Sequence, residues 1–410
     1  MMTCERAAPA PQALHAALRE ITETLAREFV CPTRSAPGWS DLEWTLARAV
    51  AAMHGISPLL SHTLPWRGSA GWRPFLEQQR MHTAARHVRI EALLGCIDER
   101  ARSAGLAVVA LKGAALHAMG LYAAGDRPMA DIDLLVRPVD ASRTAALLES
   151  QGYHEVKKSW KERVFEPVDE RAPDALGEHA DNDIKIELHE RIGEKLPWRI
   201  TDITNLIFPG EPHPGLNDYP STAALMMHLL LHAAGSMPIQ GLRLLQLHDL
   251  ALLCSRMTDA DWDEVLAHRS REAGVWWAYP PLALLSRYYP SRVPDRVLRA
   301  VAGECSYWLR RAARRTTLYD VSNSYLWVDA FPGLVWPQSL REAFSYVAGR
   351  LWPGGKHLEL RAYTAKSQHW QSHSEWAPLS QGRRILRWIT SRPTRPLTMH
   401  AVRAALAQAR

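Results

Sequence analysis

Two aspartates, Asp131 and Asp133, lie one residue apart in the otherwise apolar segment DIDLLV at 131–136. Alternate side chains of a strand point to the same face, so a strand here would hold both carboxylates close together. Like charges at that distance repel each other unless a cation or a proton lies between them. Metal-bound carboxylates are typical of phosphoryl and nucleotidyl transfer. The segment therefore predicts a cation site with that chemistry.

A Lys-Gly pair, Lys112 and Gly113, separates an apolar segment at 106–111 from an alanine-rich segment at 114–122. We expect a strand, a turn and a helix. A glycine turn that leads into a helix presents backbone N–H groups to an anion. Because the pair does not match the P-loop pattern GxxxxGK[ST], a Walker-type nucleotide hydrolase is not indicated. Lys112 and Arg127 add positive charge near the aspartates, which favours a phosphate site.

A third carboxylate, Glu187, lies in the segment DIKIELHE at 183–190, where apolar and polar residues alternate. The alternation predicts a half-buried strand with Glu187 on its polar face. Three carboxylates on adjacent strands can hold two Mg²⁺ ions through oxygen ligands. One ion would activate the acceptor and the other would neutralise a triphosphate.

The predicted elements divide the chain into helical, mixed and helical parts. Apolar residues recur at helical spacing from about 14 to 64 and from 82 to 103. Between 106 and 190 the expected order is β-α-β-α-β-β-β, and the pattern is helical again from 221 onward. We predict an α+β fold in which a mixed sheet lies between two helical regions. The predicted domains are an N-terminal helical segment, a core and a helical C-terminal domain, at 1–104, 105–200 and 201–410.

Composition indicates a soluble globular protein. Of the 410 residues, 47% are hydrophobic and 22% are charged. The five cysteines form no CxxC pair, which favours reduced thiols in the cytoplasm over disulfides or a zinc ribbon. The most apolar run, 223–234, is shorter than the roughly 20 residues of a membrane span. Neither a membrane span nor an N-terminal signal core is expected.

Positive charge is concentrated near the C-terminus, although the net charge is only +6. No acidic residue follows Glu375, and seven arginines do. Such a tail could contact RNA, another acidic partner or an anionic surface. We favour the alternative of a solvated arginine-rich helix.

Three histidines and two tryptophans are weaker candidates. His228 and His232 are four residues apart on a predicted helix, and His248 precedes Asp249 on the next. Metal binding would need further ligands, so we interpret them as polar residues that face a cleft or pair with each other. Trp276-Trp277 could stack on bases, but a place in the core is the favoured interpretation.

The motifs together resemble the DNA polymerase β-type nucleotidyltransferase superfamily. The residues concerned are LKGAAL, Arg127, DIDLLV and a helix that ends in ESQGY. More narrowly, the chain resembles a bacterial nucleotidyltransferase family that carries LKG, an arginine, DIDLLV and a later strand of the form IELH, here 186–189. Flanking helical segments extend the likeness over most of the chain. Its specific part is 106–136 together with Glu187.

The resemblance implies a polymerase β-like core and a role for each site residue. Asp131 and Asp133 would bind metal, and Glu187 would be the third ligand or the base for the acceptor hydroxyl. Gly113 and the following N–H groups, from Ala114 onward, would hold the triphosphate. Many superfamily members have serine where Ala114 stands, so this cradle would use backbone alone. Lys112 and Arg127 would offset phosphate charge, as in the related abortive-infection and type IV toxin nucleotidyltransferases.

The main hypothesis is a Mg²⁺-dependent nucleotidyltransferase, with Mn²⁺ as an alternative ion. It would move an NMP group from an NTP, ATP being favoured, to a hydroxyl of a peptide, protein, RNA or small molecule. A toxin that acts on transfer RNA is one specific form. Two alternatives stay open: a phosphotransferase that uses the same metal site, and a catalytically idle module that binds a nucleotide or a partner.

Overall fold

The computed structural model describes residues 9–168, 176–197, 199–268, 274–354 and 379–408. Ser40 begins the second helix with a capping box, because its side chain and that of Glu43 each accept the other residue's backbone N–H. The long fourth helix begins at Trp72, ten residues before the predicted start. The N-terminal helices are α1 (Pro11–Val30), α2 (Asp41–Met53), α3 (Ser57–Thr63) and α4 (Trp72–Ser103).

A six-stranded mixed sheet follows. Its strands are β1 (Ala107–Ala110), β2 (Asp131–Val136), β3 (Tyr153–Lys158), β4 (Glu162–Pro167), β5 (Lys185–His189) and β8 (Gly215–Asn217), and a separate hairpin is formed by β6 (Gly193–Leu196) and β7 (Arg199–Asp202). The spatial order is β3-β4-β5-β2-β1-β8. Strand β2 is parallel to β5 and antiparallel to β1, which is parallel to β8. The predicted mixed sheet and its element order as far as β5 are confirmed, whereas the hairpin and β8 were not predicted.

Two helices connect the first three strands: α5 (Lys112–Ala118) and α6 (Ala141–Glu149). Helix α5 ends four residues before the predicted end. Gly120 follows it with a φ of +66°, a left-handed conformation that terminates helices and that glycine adopts without steric cost.

Strand β2 packs into a different core on each face. Ile132 and Leu134 belong to a core formed with α4 and α6. Leu135 belongs to the larger core, which contains helices from both ends of the chain. Because side chains alternate along a strand, Asp131 and Asp133 share the face of Leu135 and point toward the C-terminal helices.

The described residues from 221 onward are mainly helical, as predicted. Helix α1 packs against α14, and α2 packs against α17, so the two ends of the chain share one core. The predicted three-domain division stays a prediction. The helices are α7 (Thr204–Ile207), α8 (Thr222–Ser236), α9 (Leu244–Cys254), α10 (Asp259–Ala267), α11 (Tyr279–Tyr288), α12 (Asp295–Glu304), α13 (Tyr307–Ala313), α14 (Leu318–Val321), α15 (Leu340–Leu351), α16 (Gln381–Thr390) and α17 (Pro396–Gln408).

Among the described helices, one stretch, Thr222–Ile239, is long and apolar enough to cross a membrane. Within the protein, however, 72% of this stretch is buried. It contains α8 and serves as a core helix between the sheet and the other helices.

A buried histidine, His54, links the N-terminal helices to the C-terminal region. Its Nδ1 accepts the backbone N–H of Leu244 at 2.9 Å, and its Nε2 lies 3.1 Å from the Ser324 hydroxyl oxygen. Burial lowers the pKa of His54 to about 3, and the charge of Arg243 contributes in the same direction. The neutral imidazole is therefore part of the packed structure.

We expect this histidine to make stability depend on pH. In the unfolded chain, His54 becomes protonated as the pH falls below its ordinary pKa of 6.5. In the folded chain, it stays neutral until the pH falls to about 3. The stability that the neutral ring contributes is fully present above pH 6.5, and the free energy of unfolding should fall by about 1.4 kcal/mol per pH unit between these values. Urea denaturation of a His54→Gln variant should show a correspondingly flatter pH dependence. The exposed-site control His154→Gln should follow the wild-type curve, and equal slopes for wild type and His54→Gln would contradict the assignment.

Candidate active site

The three predicted carboxylates lie on two neighbouring parallel strands. In the register of β2 and β5, Asp133 is opposite Glu187 and Asp131 is opposite Lys185. Asp133 is only 6% exposed, and the other two carboxylates are partly exposed. The structure thus brings Asp131, Asp133 and Glu187 to one edge of the same sheet face.

These carboxylates line a cavity of about 190 Å³ that lies between the sheet and helices α8 and α9. Every residue that the sequence assigns to the site lines this cavity: Lys112, Gly113, Ala114, Arg127, Asp131, Asp133 and Glu187. The helices contribute the opposite wall, in which His232 and Asp249 were named from the sequence and the other residues were not: Leu229, His232, Arg243, Gln246 and Asp249.

Lys112 lies at the turn between β1 and α5 and holds its side chain across the carboxylates. Its φ is +46°, an uncommon conformation for a residue other than glycine, and residues held in such conformations cluster at functional sites. Its backbone N–H donates to the Tyr219 hydroxyl at 3.2 Å, which supports the turn from the segment after β8. Its Nζ donates to Asp133 Oδ1 at 2.8 Å. The turn thus places an ammonium beside the most buried carboxylate.

The charges in the cavity do not balance. Burial lowers the pKa of Lys112, but the carboxylates, Asp133 first, outweigh burial and raise it above its ordinary value. Burial raises the pKa of Asp133, but Lys112 and His189 reverse this effect and hold it well below its ordinary value. Burial and then the charge of Asp133 raise the pKa of Glu187 to about 8, and the same two effects raise that of Asp131. Lys112 faces all three carboxylates and the charge of Arg243 also acts on Asp131, so two cations oppose three carboxylates and an added cation would be stabilised here.

His189 is a site residue that sequence analysis did not assign. It is 3% exposed, and its Nε2 lies 2.9 Å from Asp133 Oδ1 and 3.6 Å from Glu187 Oε2. In the part of the chain that the structure describes, Asp133, Glu187 and His189 form a group whose potential metal-ligand atoms all lie within 4.8 Å of one another. Asp131 is outside this group. The alternation of IELH was the available signal, because it places His189 on the same strand face as Glu187.

The Lys-Gly turn packs too tightly for any residue except glycine at 113. A Cβ atom there would lie 2.2 Å from Arg127 Nη1 and 2.7 Å from Met129 Sδ. One N–H group of the predicted phosphate cradle already has a partner, because Ala114 donates to the Leu111 carbonyl at 3.1 Å. Fewer backbone N–H groups are therefore free to bind a phosphate than the resemblance implied.

Arg127 is buried and held by a carboxylate from the helical region. Its Nε and Nη2 donate to the two oxygens of Asp249 on α9 at 2.9 and 2.8 Å, a bidentate arrangement. The Tyr122 hydroxyl also donates to Asp249, at 2.6 Å. This pairing leaves only Nη1 directed toward Gly113. Asp249 thus neutralises the guanidinium charge of Arg127 that, on the resemblance, would offset a phosphate.

The candidate histidines of α8 have partners in the site's surroundings. His228 Nδ1 lies 2.7 Å from the Tyr219 hydroxyl, and His232 Nδ1 lies 3.9 Å from Glu194. Lys161 donates to the same carboxylate at 2.9 Å. His232 lines the cavity, which agrees with the interpretation of polar residues facing a cleft.

The basic C-terminal segment is partly structural. Arg395 donates to the carbonyl oxygen of Ser322 at 3.0 Å, and the guanidinium of Arg392 lies 5.8 Å from the Trp327 ring centroid. Arg410, the last arginine of the segment, lies outside the described residues. Trp276 and Trp277 are buried, as favoured above.

A mixed sheet that carries clustered carboxylates and a Lys-Gly turn in one cavity defines a candidate group-transfer enzyme. The chain belongs to the family described as uncharacterised nucleotidyltransferase, whose model matches residues 40–288. That range runs from the start of α2 to the end of α11 and contains the whole cavity. No curated protein and no solved structure matches the chain.

We expect the pair between Arg127 and Asp249 to be strongly coupled. Asp249→Leu leaves a buried guanidinium without its partner and should lower the free energy of unfolding by about 3–5 kcal/mol. Adding Arg127→Met removes the unpaired charge and should restore most of that loss. Urea denaturation of the wild type, both single variants and the double variant measures the coupling. Strictly additive losses would show that the two side chains do not depend on each other.

Proposed function

We propose that the protein is a Mg²⁺-dependent nucleotidyltransferase that moves an NMP group from an NTP to a hydroxyl acceptor. The observation that carries this proposal is the register of β2 and β5. It sets Asp133 opposite Glu187, two residues from Asp131 and within reach of Lys112. The family match supports the reaction class. We infer a polymerase β-like core from the same strands and from the turn that precedes α5.

The residues of the site fit a divalent cation. Asp131, Asp133 and Glu187 supply the oxygen ligands that Mg²⁺ and Mn²⁺ prefer, and His189 would either orient Asp133 or act as a nitrogen ligand, which suits Mn²⁺ better than Mg²⁺. The excess of carboxylates over cations in the cavity supports this proposal, because buried charges are costly unless they are paired. When bound, the ion would neutralise triphosphate charge and polarise the reacting phosphate.

The remaining residues would bind and orient the reactants. Lys112 and the Nη1 edge of Arg127 would offset phosphate charge beside the Gly113 turn. ATP is the favoured NTP on the resemblance described above. The acceptor oxygen would form a bond to the α-phosphorus while the bond to the pyrophosphate oxygen breaks. The hydroxyl proton would pass to Glu187, which lies opposite Asp133 in the register of β2 and β5.

We place the reaction in the cytoplasm. Four cysteines in the described part of the chain are free thiols: Cys31, Cys96, Cys254 and Cys305. Cys4 lies outside the described residues. Free thiols are typical of a reducing compartment. The acceptor hydroxyl stays open among peptide, protein, RNA and small molecule.

Labelled nucleotides test the reaction class. Incubation with Mg²⁺ and cell lysate should transfer label to an acceptor from NTP labelled at the α-phosphate and not from NTP labelled at the γ-phosphate. Transfer from the γ-position would instead identify a phosphotransferase. Absence of turnover with every NTP and acceptor fraction would favour a nucleotide-binding or partner-binding module.

Substitution of the aspartates tests the site. We expect Asp131→Asn and Asp133→Asn each to lower the transfer rate by about 10³-fold or more, because ligands and transition-state charge stabilisation are lost together. The exposed-site control Asp259→Asn should retain wild-type activity. Circular dichroism and thermal melting should show that all variants fold. Full activity in Asp133→Asn would place the chemistry elsewhere.

A further inference from the structure

Helix α13 and the turn after it present four arginines on one surface. In the segment YWLRRAARR at 307–315, Leu309 and Ala313 are buried and fix the inward face. Positions four residues apart lie side by side on a helix surface, so the two arginines that follow Leu309 lie beside the two that follow Ala313, and all four line one groove. The four residues are Arg310, Arg311, Arg314 and Arg315.

These arginines and Tyr307 line a surface groove of about 380 Å³. Tyr307 is 59% exposed and its neighbour Trp308 is 67% exposed. Their ring centroids lie 5.3 Å apart with the ring planes at 73°. We call this feature the arginine groove; it is lined by Tyr307, Arg310, Arg311, Arg314 and Arg315, and Trp308 adjoins it through its contact with Tyr307.

The arginine groove carries concentrated positive charge. Within the described ranges, none of its four arginines forms an ion pair. Arg310 donates to the Ala302 carbonyl at 3.4 Å, and Arg314 donates to the Tyr279 hydroxyl at 3.3 Å. These bonds orient the side chains and leave their charge in place. Arg287 donates to the Arg314 carbonyl at 3.2 Å and brings a fifth guanidinium to the same surface.

We propose that the arginine groove binds a single-stranded nucleic acid. Guanidinium groups that line one groove suit a chain of phosphates, and exposed rings at one end suit stacking with unpaired bases. An acidic peptide would use the charges but not the rings. A lipid surface would require a broader apolar face than two side chains provide. The groove lies beyond residue 288, where the family match ends, and it does not depend on the proposed reaction.

The test is a binding titration of the full chain with a fluorescein-labelled oligouridylate of about 20 nucleotides, longer than the roughly 4–16 nucleotides that such sites cover. Fluorescence anisotropy is measured between roughly 50 and 200 mM salt. Each phosphate contact in a single strand contributes about −0.7 to the slope of log K against log salt. Replacing Arg310, Arg311, Arg314 and Arg315 by Gln should therefore make the slope less steep by up to about 3 and weaken binding most at low salt.

A matched control removes the same charge elsewhere. Gln replaces four exposed arginines of the N-terminal region: Arg19, Arg27, Arg34 and Arg67. This variant should retain the wild-type slope and affinity. The Trp308→Ala variant should weaken binding about 5- to 100-fold, as expected for the loss of one stacked base, without changing the slope. All of these positions are exposed or partly exposed, and circular dichroism verifies the fold of each variant.

Other partners give different results. Competition by polyglutamate as effective as that by oligouridylate, with no effect of Trp308→Ala, would identify an acidic protein surface and overturn the proposal. Binding to phosphatidylserine vesicles that is stronger than binding to the oligonucleotide would overturn it as well. Absence of binding at low salt has the same consequence. A matched deoxyuridylate of equal affinity would support recognition through phosphates and bases alone.

Discussion

The clustering of three carboxylates around Lys112 is the constraint on which the rest of the site depends. Asp131, Asp133 and Glu187 are placed by strand register, and a shift of one residue in β2 or β5 would turn its carboxylates to the opposite face. Lys112 reaches them only because its turn adopts a left-handed backbone conformation. The sheet therefore holds a set of negative charges that its own residues only partly neutralise. This imbalance is stable only while the strands around it remain fixed.

The helices hold these strands in place and form the opposite wall of the cavity. The carboxylate face of β2 points toward α8 and α9, and the pair between Arg127 and Asp249 joins the loop before β2 to α9 through buried hydrogen bonds. Helices α1 and α2 pack against α14 and α17, so the wall opposite the sheet belongs to a core built from both ends of the chain. The site is consequently a property of the whole fold rather than of the sheet alone.

Local sequence patterns predicted the strands and the positions of the carboxylates on them, because both follow from residues that are close in the chain. Alternation placed Glu187 on a polar strand face, and the apolar context of Asp131 and Asp133 indicated a buried strand. The contact between Arg127 and Asp249 spans 122 residues, and no local pattern encodes it. Its consequence for Arg127 was therefore missed, since a sequence shows a cation but not whether a buried carboxylate already neutralises it.

The same distinction applies to charge at the surface. The arginines after Glu375 are the most conspicuous basic feature of the sequence, yet Arg395 donates hydrogen bonds to backbone carbonyls and Arg392 packs over a tryptophan ring. The arginines of α13 attract less notice in the sequence, but their guanidinium groups line an open groove. A guanidinium group can bind a polyanion where the arginine side chain is exposed and no carboxylate is close to it. Local composition predicts how much charge a segment carries, and tertiary packing decides how much of it a partner can reach.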